Sequence, residues 1–411
     1  MKILILHTHY RQPGGEDHVF AAETALLREK GHEVQTVAFH NQDLETMPPW
    51  KQAKNAMWNR TAYLQVRESI SRHRPHLLHI HNTFPLASPA VIHAAKAEKT
   101  PVTLTLHNYR LICPGSLLMR SGQLCEECMG RTIPWPGVIH KCWRDRRTHT
   151  AVAATMLATH RFLQTWTEQV DLYIALTEFS RKKFIQGGIP GDKIVVKPNS
   201  VNDSTLSEAT GVTTHGLQNT FLSSEITPYA LFVGRLSPEK GIQTLLQAWR
   251  TLPENKLIIA GDGPLLYEAQ RFVNQNNTKN IFLLGRQSQA EVARFMNRAR
   301  LLVGPSECYE NFPMTLVEAF ASSLPVIASR LGAMAEIVED GRTGLLFEPG
   351  NAEDLANKVA WAWAHPEEMA EMGKEARSEY EAKYTAERNY QILMEIYDKA
   401  IANHRKANDW K

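Results

Sequence analysis

Apolar residues fall in short runs, each followed by a glycine turn or an amphipathic stretch, and this rhythm passes through the chain twice. In the first half ILILH (3–7), EVQTVAF (33–39), HLLHIHN (76–82), VTLTLHN (102–108), LYIALT (172–177) and KIVVKP (193–198) predict buried strands, with helices over 16–30 and 62–72 between them. Gly31, directly after Lys30, is a helix stop. Residues 202–227 are rich in Ser, Thr, Asn and Gly and read as a linker. The second series is YALFVG (229–234), KLIIAG (256–261), NIFLLG (280–285), RLLVGP (300–305), PVIAS (325–329) and GLLFEP (344–349), and a charged helical tail occupies about 366–405. Strands alternating with helices specify an α/β chain with a doubly wound parallel sheet in each half. The expected division is a first domain over 1–201, the linker 202–227, a second domain over 228–384 and a terminal helix over 385–411 that returns to the first domain. Ligands of such sheets bind beyond the carboxyl ends of the strands, so both domains are expected to face a cleft.

Composition narrows this picture. A chain of 411 residues is too long for one ordinary core, and 43% hydrophobic with 22% charged residues is a globular balance. No run approaches the ~20 apolar residues that span a bilayer. The start, MKILILHTHY, reads as a first strand rather than a secretion signal, so a cytoplasmic setting is expected, with the inner membrane face as a second location. The net charge of +3 conceals an asymmetry: residues 1–200 hold 25 Lys and Arg against 16 Asp and Glu, and the remainder 21 against 27. Fourteen of the 17 histidines also lie in the first 200 residues. A basic half suits a phosphate-bearing acceptor or an anionic membrane surface, with ordinary surface composition as the plain alternative. Trp143, Arg144, Arg146, Arg147 and Arg161, between Trp135 and Phe162, are the residues for such a peripheral membrane contact, or else a solvated helix face.

Three stretches of the second half carry chemistry. The first strand there ends in Gly234-Arg235-Leu236-Ser237-Pro238-Glu239-Lys240-Gly241, ahead of a helix. A glycine turn admits close backbone approach, the helix start offers free N–H groups, and Arg235 and Lys240 add two positive charges, a combination suited to a diphosphate. The nucleoside-triphosphate loop is excluded, because Lys240 precedes the glycine and no Ser or Thr follows it. The next strand ends in Gly261-Asp262-Gly263-Pro264, a second glycine turn at the same sheet edge or a turn with Pro264 opening a helix. In Ser306-Glu307-Cys308-Tyr309-Glu310-Asn311-Phe312-Pro313-Met314-Thr315-Leu316-Val317-Glu318, Pro313 suits the first helical turn, and N–H groups near Asn311, Phe312, Pro313 and Met314 would face an anion. Glu318, flanked by Val317, Ala319 and Phe320, is expected to face inward, toward sugar hydroxyls or a structural ion pair. Gly14-Gly15, between the first strand and a helix, permits close ligand approach in the first domain.

Four of the five cysteines, Cys113, Cys125, Cys128 and Cys142, lie within 30 residues in a stretch spanning 108–147. A CxxC pair with one cysteine on each side is compatible with a four-thiolate structural zinc, the first reading, while unliganded thiols and disulfides stay open. Cys308 reads as a packed thiol.

These motifs, in this order, resemble the retaining two-domain glycosyltransferases of family 4, which have the GT-B fold, and the resemblance covers essentially the whole chain. It is densest over 229–350, where GRLSPEKG, IAGDGP, the pair Glu310 and Glu318, and LPVIASRLGAMAEIVEDGRTGLLFEPGN all match. The resemblance implies that Arg235 and Lys240 hold a nucleotide diphosphate and that Glu310 lies against the transferred sugar. It further implies that Glu318 binds ribose hydroxyls, that Gly14 and Gly15 lie near donor phosphates and acceptor, and that His107 lies near the donor sugar. The family often has Asp after that histidine, where this chain has Asn108. The implied activity is transfer of a hexose from a UDP- or GDP-linked donor to a saccharide or lipid-linked acceptor, for surface polysaccharide or glycolipid synthesis. No catalytic cofactor is expected, since the two cations do what a metal does elsewhere. A phosphorylase or nucleotide-sugar hydrolase on the same fold, and a non-catalytic sugar-nucleotide-binding protein, are the alternatives. Nucleic acid is not an expected partner.

Overall fold

Strand β1, Lys2–His9, buries six consecutive residues, as a strand covered on both faces must. In the computed structural model, which describes residues 1–11, 14–201 and 228–409, the chain divides into two units. One comprises Met1–Arg120, Cys125–Asn199 and Glu387–Lys411, the other Ser121–Leu124 and Ser200–Ala386. The expected linker, 202–227, lies outside the described residues.

The first unit is built on a six-stranded sheet: β1, β2 (Glu33–His40), β3 (Leu77–Ile80), β4 (Val102–Thr105), β5 (Leu172–Ala175) and β6 (Ile194–Val196). Their order is β2-β1-β3-β4-β5-β6 and every pairing is parallel, with Ile3 facing Val34 on one side and Leu77 on the other. The order reverses between β1 and β3, so the carboxyl ends of those strands open a crevice. One face is closed by the last helix, Ala386–Asp409, whose Leu393, Ile396, Tyr397 and Ala400 pack with Ile3, Ile5, Leu27, Leu172 and Ile174. The helical tail consists of Pro366–Lys383 and this terminal helix, with Tyr384 and Thr385 between them.

The second unit repeats the plan with β7 (Tyr229–Val233), β8 (Lys256–Ala260), β9 (Ile281–Gly285), β10 (Leu301–Gly304), β11 (Val326–Ser329) and β12 (Gly344–Phe347). The order is β9-β8-β7-β10-β11-β12, again all parallel, and it reverses between β7 and β10. All twelve strands expected from the apolar runs are present, and the fold class is the one the pattern specified. Two glycines hold the turns at the carboxyl end of β7, one on each side of it. Gly241 has φ +68°, and a Cβ there would fall 1.8 Å from the Pro305 carbonyl oxygen. A Cβ on Gly261 would fall 1.8 Å from the carbonyl oxygen of Gly234, so the two strand ends meet backbone to backbone. No helix of the described residues is long and apolar enough to cross a membrane.

Candidate active site

In the second unit the turn after β7 carries Arg235, exposed, and a short 3-10 turn, Pro238–Lys240. Lys240 Nζ lies 2.5 Å from Glu310 Oε1, and the Ser306 hydroxyl donates to the same oxygen at 2.7 Å. The sequence motifs of β7 and β10 are thus joined by an ion pair across the switch point. Burial acts to lower the Lys240 pKa, but Glu310, the Cys308 thiol and Glu239 outweigh it and hold the ammonium above its ordinary value. Burial acts to raise Glu310, and Lys240, by charge and hydrogen bond, brings it below the carboxylate range. Both groups are charged at neutral pH.

Helix Met314–Ala321 begins one residue after Pro313, which precedes the first turn rather than entering it. Asn311 and Phe312 are buried ahead of it, with Phe312 edge-on to Tyr384 at 6.0 Å between ring centres. Glu318 is half-buried in that helix, and burial pushes its carboxyl up to about 7. Gly263 packs so tightly that a Cβ would stand 2.4 Å from the Leu236 carbonyl oxygen. Cys308 is buried, which pushes its thiol up, as a packed rather than reactive cysteine requires.

In the first unit Gly14 stands immediately before helix Gly15–Glu29, and its N–H donates to Asp17 Oδ2 at 2.8 Å. Asp17 Oδ1 also lies 3.0 Å from His7 Nε2 and 2.9 Å from His9 Nδ1. Burial acts against its charge, but these partners hold the carboxyl down at about 2. Glu16 accepts from the Asn108 amide at 2.7 Å and from the Tyr10 hydroxyl at 2.8 Å, and burial pushes it up to about 7. A carboxylate therefore sits beside residue 108, although residue 108 is itself an amide. His107 lies two residues past the end of β4, its Nε2 2.9 Å from His81 Nδ1. Burial, with His81 and His7 nearby, holds it well below the ordinary histidine value.

Residues 13–205 match Glycosyltransferase Family 4 and residues 218–379 match Glycosyl transferases group 1. Each match covers less than half of the chain, and the two follow one another along it. Among similar proteins is an uncharacterized glycosyltransferase of Methanocaldococcus jannaschii, 39% identical over 170 residues, which are 41% of this chain and 48% of that protein. The lipopolysaccharide 1,2-N-acetylglucosaminetransferase of Salmonella typhimurium is 28% identical over 281 residues, 64% of this chain and 73% of the relative. The first alignment thus spans about half of its relative. The Anabaena protein HepE, solved in complex with UDP-glucose, superposes with a TM-score of 0.67 at 19% identity, covering 96% of this chain and 98% of that one. That likeness carries the GT-B fold.

Within the span that matches Glycosyltransferase Family 4, Cys113, Cys125, Cys128 and Cys142 are free thiols lining one cavity of ≈ 10 Å³. That is room for a single ion or water. Burial and the neighbouring thiols push Cys128 up to about 12. Glycines close the walls: a Cβ on Gly115 would stand 3.0 Å from the Cys142 carbonyl oxygen, and one on Gly137 3.5 Å from Cys128 Sγ. Among the described residues, the groups with three metal-competent atoms mutually within 4.8 Å are His7–His9–Asp17 and Glu23–His79–His81, and the thiols are not one of them. Two residues expected on a membrane-facing patch have other work. Arg161 donates to the carbonyl oxygens of Arg131 and, at 3.2 Å, Leu111, and Trp143 packs against Phe84 and the Arg110 guanidinium. Arg144, Arg146 and Arg147 are exposed.

The sequence reading missed Glu16, Asp17, Glu23 and His81. The acidic pair after Gly14-Gly15 was a usable signal, since carboxylates favour a helix N-terminus. Glu23 and His81 gave none, because their partners lie far away in the chain.

Proposed function

We propose that this protein is a glycosyltransferase that moves a hexose from a nucleoside-diphosphate sugar to a saccharide or lipid-linked acceptor with retention of configuration. The observation that carries the reading is the Lys240–Glu310 pair at the second sheet's switch point, beside the exposed Arg235 and the start of helix Met314–Ala321. That constellation offers cations to a diphosphate and a carboxylate to hydroxyls. A diphosphate arriving there competes with Glu310 for Lys240 and frees carboxylate oxygens to accept from the sugar. Catalysis is then positioning and stabilisation of the leaving diphosphate, whose own oxygen takes the acceptor proton on the face where the bond breaks. Lys240 and Arg235 supply the charge that a divalent cation supplies elsewhere. UDP is the first base to test, since HepE was solved with UDP-glucose, and GDP the second. The Salmonella relative's name favours a surface-polysaccharide or glycolipid product.

Release of nucleotide from UDP- and GDP-sugars, measured with and without lipid-linked saccharide acceptors, tests this. Lys240→Ala removes a charge-assisted contact worth about 2–4 kcal/mol in the transition state, so turnover is expected to fall roughly a hundredfold or more with the fold retained. Near-normal turnover sinks the assignment of the site. Acceptor-independent release, or a need for free phosphate, favours a hydrolase or phosphorylase instead.

Two further features belong to this reading. The four thiols of the 108–147 stretch hold one structural zinc, which their shared ion-sized cavity supports and which requires the sulfurs to draw closer than they stand here. Exposed Arg144, Arg146 and Arg147, with exposed Trp135 and Ile139 nearby in sequence, suit peripheral contact with an anionic membrane face. Free thiols and a nucleotide-linked donor fit a reducing, cytoplasmic compartment.

A further inference from the structure

His107 does not stand alone behind the first sheet. Its Nε2 meets His81 Nδ1 at 2.9 Å, and the two rings are within 17° of coplanar, which aligns the N–H of one with the lone pair of the other. On its far side His81 Nε2 lies 3.3 Å from Glu23 Oε1, an approach too oblique for a well-formed hydrogen bond but close enough to feel the carboxylate's charge. Glu23 in turn meets Lys197 Nζ at 2.9 Å, and Lys197 donates to Asn389 Oδ1 at 3.1 Å. Glu23, His81 and Lys197 are all buried, and His107 is partly exposed.

The proton positions follow from this chain of contacts. Glu23 is ionised: burial opposes its charge, but Lys197 and the neighbouring histidines hold its pKa well below the ordinary carboxylate value. An ionised carboxylate only accepts. A lone pair on His81 Nε2 would face that negative charge, so the proton sits on Nε2. Burial and the adjacent His79 bring His81 down to about 4, so at neutral pH it has no second proton. Its Nδ1 is therefore a lone pair, and the 2.9 Å contact requires the proton to be on His107 Nε2. His107 is neutral as well, which leaves its Nδ1 bare.

We propose that Lys197, Glu23 and His81 act as a positioning relay that fixes His107 as its Nε2–H tautomer. Its Nδ1 is thereby a standing hydrogen-bond acceptor, and the ligand group it takes is a hydroxyl. A phosphate or carboxylate offers no proton and is turned away, whereas a doubly protonated His107 would have attracted it. The tautomer assignment is independent of the sugar-transfer reading, and only the identity of the hydroxyl, one on the donor sugar, rests on it.

Long-range proton–nitrogen NMR spectra of the full chain labelled with 15N-histidine read the tautomer directly, with His107→Gln used to assign the signals. The expected result is a protonated Nε2 and a bare Nδ1 on His107 throughout pH 6 to 8. His81→Asn keeps this state, because its carbonyl oxygen replaces the Nδ1 acceptor and its amide faces Glu23. His81→Leu removes the acceptor, lets the Nδ1–H form appear and lowers kcat roughly tenfold or more, with rescue in His81→Asn. A wild-type His107 protonated on Nδ1, or on both nitrogens at pH 7, overturns the relay, as does an unchanged tautomer in folded His81→Leu. Should the spectra agree while no nucleotide sugar is turned over, the relay stands and the functional reading falls.

Discussion

A carboxyl group shielded from water without a cation beside it becomes a weak acid, and Glu318 is such a group, pushed up by burial from 4.5 to about 7. Its folded-state pKa is above its unfolded value, so its ionisation opposes folding. The protein should be most stable, as far as this residue is concerned, below pH 4.5, lose stability between pH 4.5 and 7, and change little beyond. Glu318→Gln removes the titration and keeps the shape. The variant's unfolding free energy should match the wild type's at pH 4.5 and exceed it at pH 8 by on the order of 1–2 kcal/mol, after allowance for partial exposure. Urea unfolding at the two pH values reads this, and an equal difference at both would show that Glu318 is solvated or paired. Glu16, also near 7, titrates in both proteins and cancels in the comparison. At this scale the sequence was legible where chemistry clusters locally, as in GRLSPEKG and the segment around Glu310. It was silent on pairing: Lys240 and Glu310 each stood out, but that they neutralise each other depends on how β7 and β10 lie side by side. The buried relay was invisible for the same reason, since Glu23 and Lys197 are 174 residues apart.

Strands were the most legible elements, because a parallel strand covered on both faces must be a continuous apolar run, and glycine turns mark its end. The cysteine-bearing stretch after β4 was the least. Between Cys113 and Asp145 the non-glycine residues Ser116, Leu118, Ser121, Lys141, Arg144 and Asp145 have positive φ, and no apolar periodicity foretells such a path. Local packing supports it in part, through Arg110 over the Phe84 and Trp143 rings at 4.7 and 5.1 Å, and Arg120 paired twice with Glu127. A stretch so irregular gains most from a cross-link, which is the physical case for zinc on its four thiols. Metal analysis of protein purified without chelator should find one zinc per chain. Cys125→Ser and Cys128→Ser should each lose it, and chelation should cost about 2 kcal/mol, roughly 4–8 °C in Tm for a domain of this size. Metal-free protein in which all five cysteines react with a thiol reagent after unfolding would leave the cavity as a packing detail.

At the scale of the whole chain, the first domain is completed by its last residues. Helix Ala386–Asp409 supplies Leu393, Ile396, Tyr397 and Ala400 to the core of the first sheet, and among the described residues nothing else in that core comes from beyond residue 195 except its own neighbours Met394, Ile401, Tyr390 and Ile392. It also supplies Asn389 to Lys197, and the Tyr397 hydroxyl to His79 at 2.7 Å. Burying side chains of this kind contributes about 1.5–3 kcal/mol each, so the three large ones together rival the 5–15 kcal/mol that separates a folded domain from an unfolded one. Their loss would also strip partners from a buried charge, which is costlier than losing apolar area alone. A chain ending at residue 385 should therefore lose the first domain's cooperative thermal transition and the histidine signals of its buried relay. The second domain's core, built from residues such as Trp249, Leu301, Phe347 and Val359, draws among the described residues on nothing after residue 385 and should melt as before. Calorimetry of the truncated protein decides it: an unaltered first transition would mean that the helix caps a domain already stable without it. The expected outcome makes folding of the first domain wait for helix Ala386–Asp409, so that Glu23 and Lys197 meet in their final setting only once the second domain has been made.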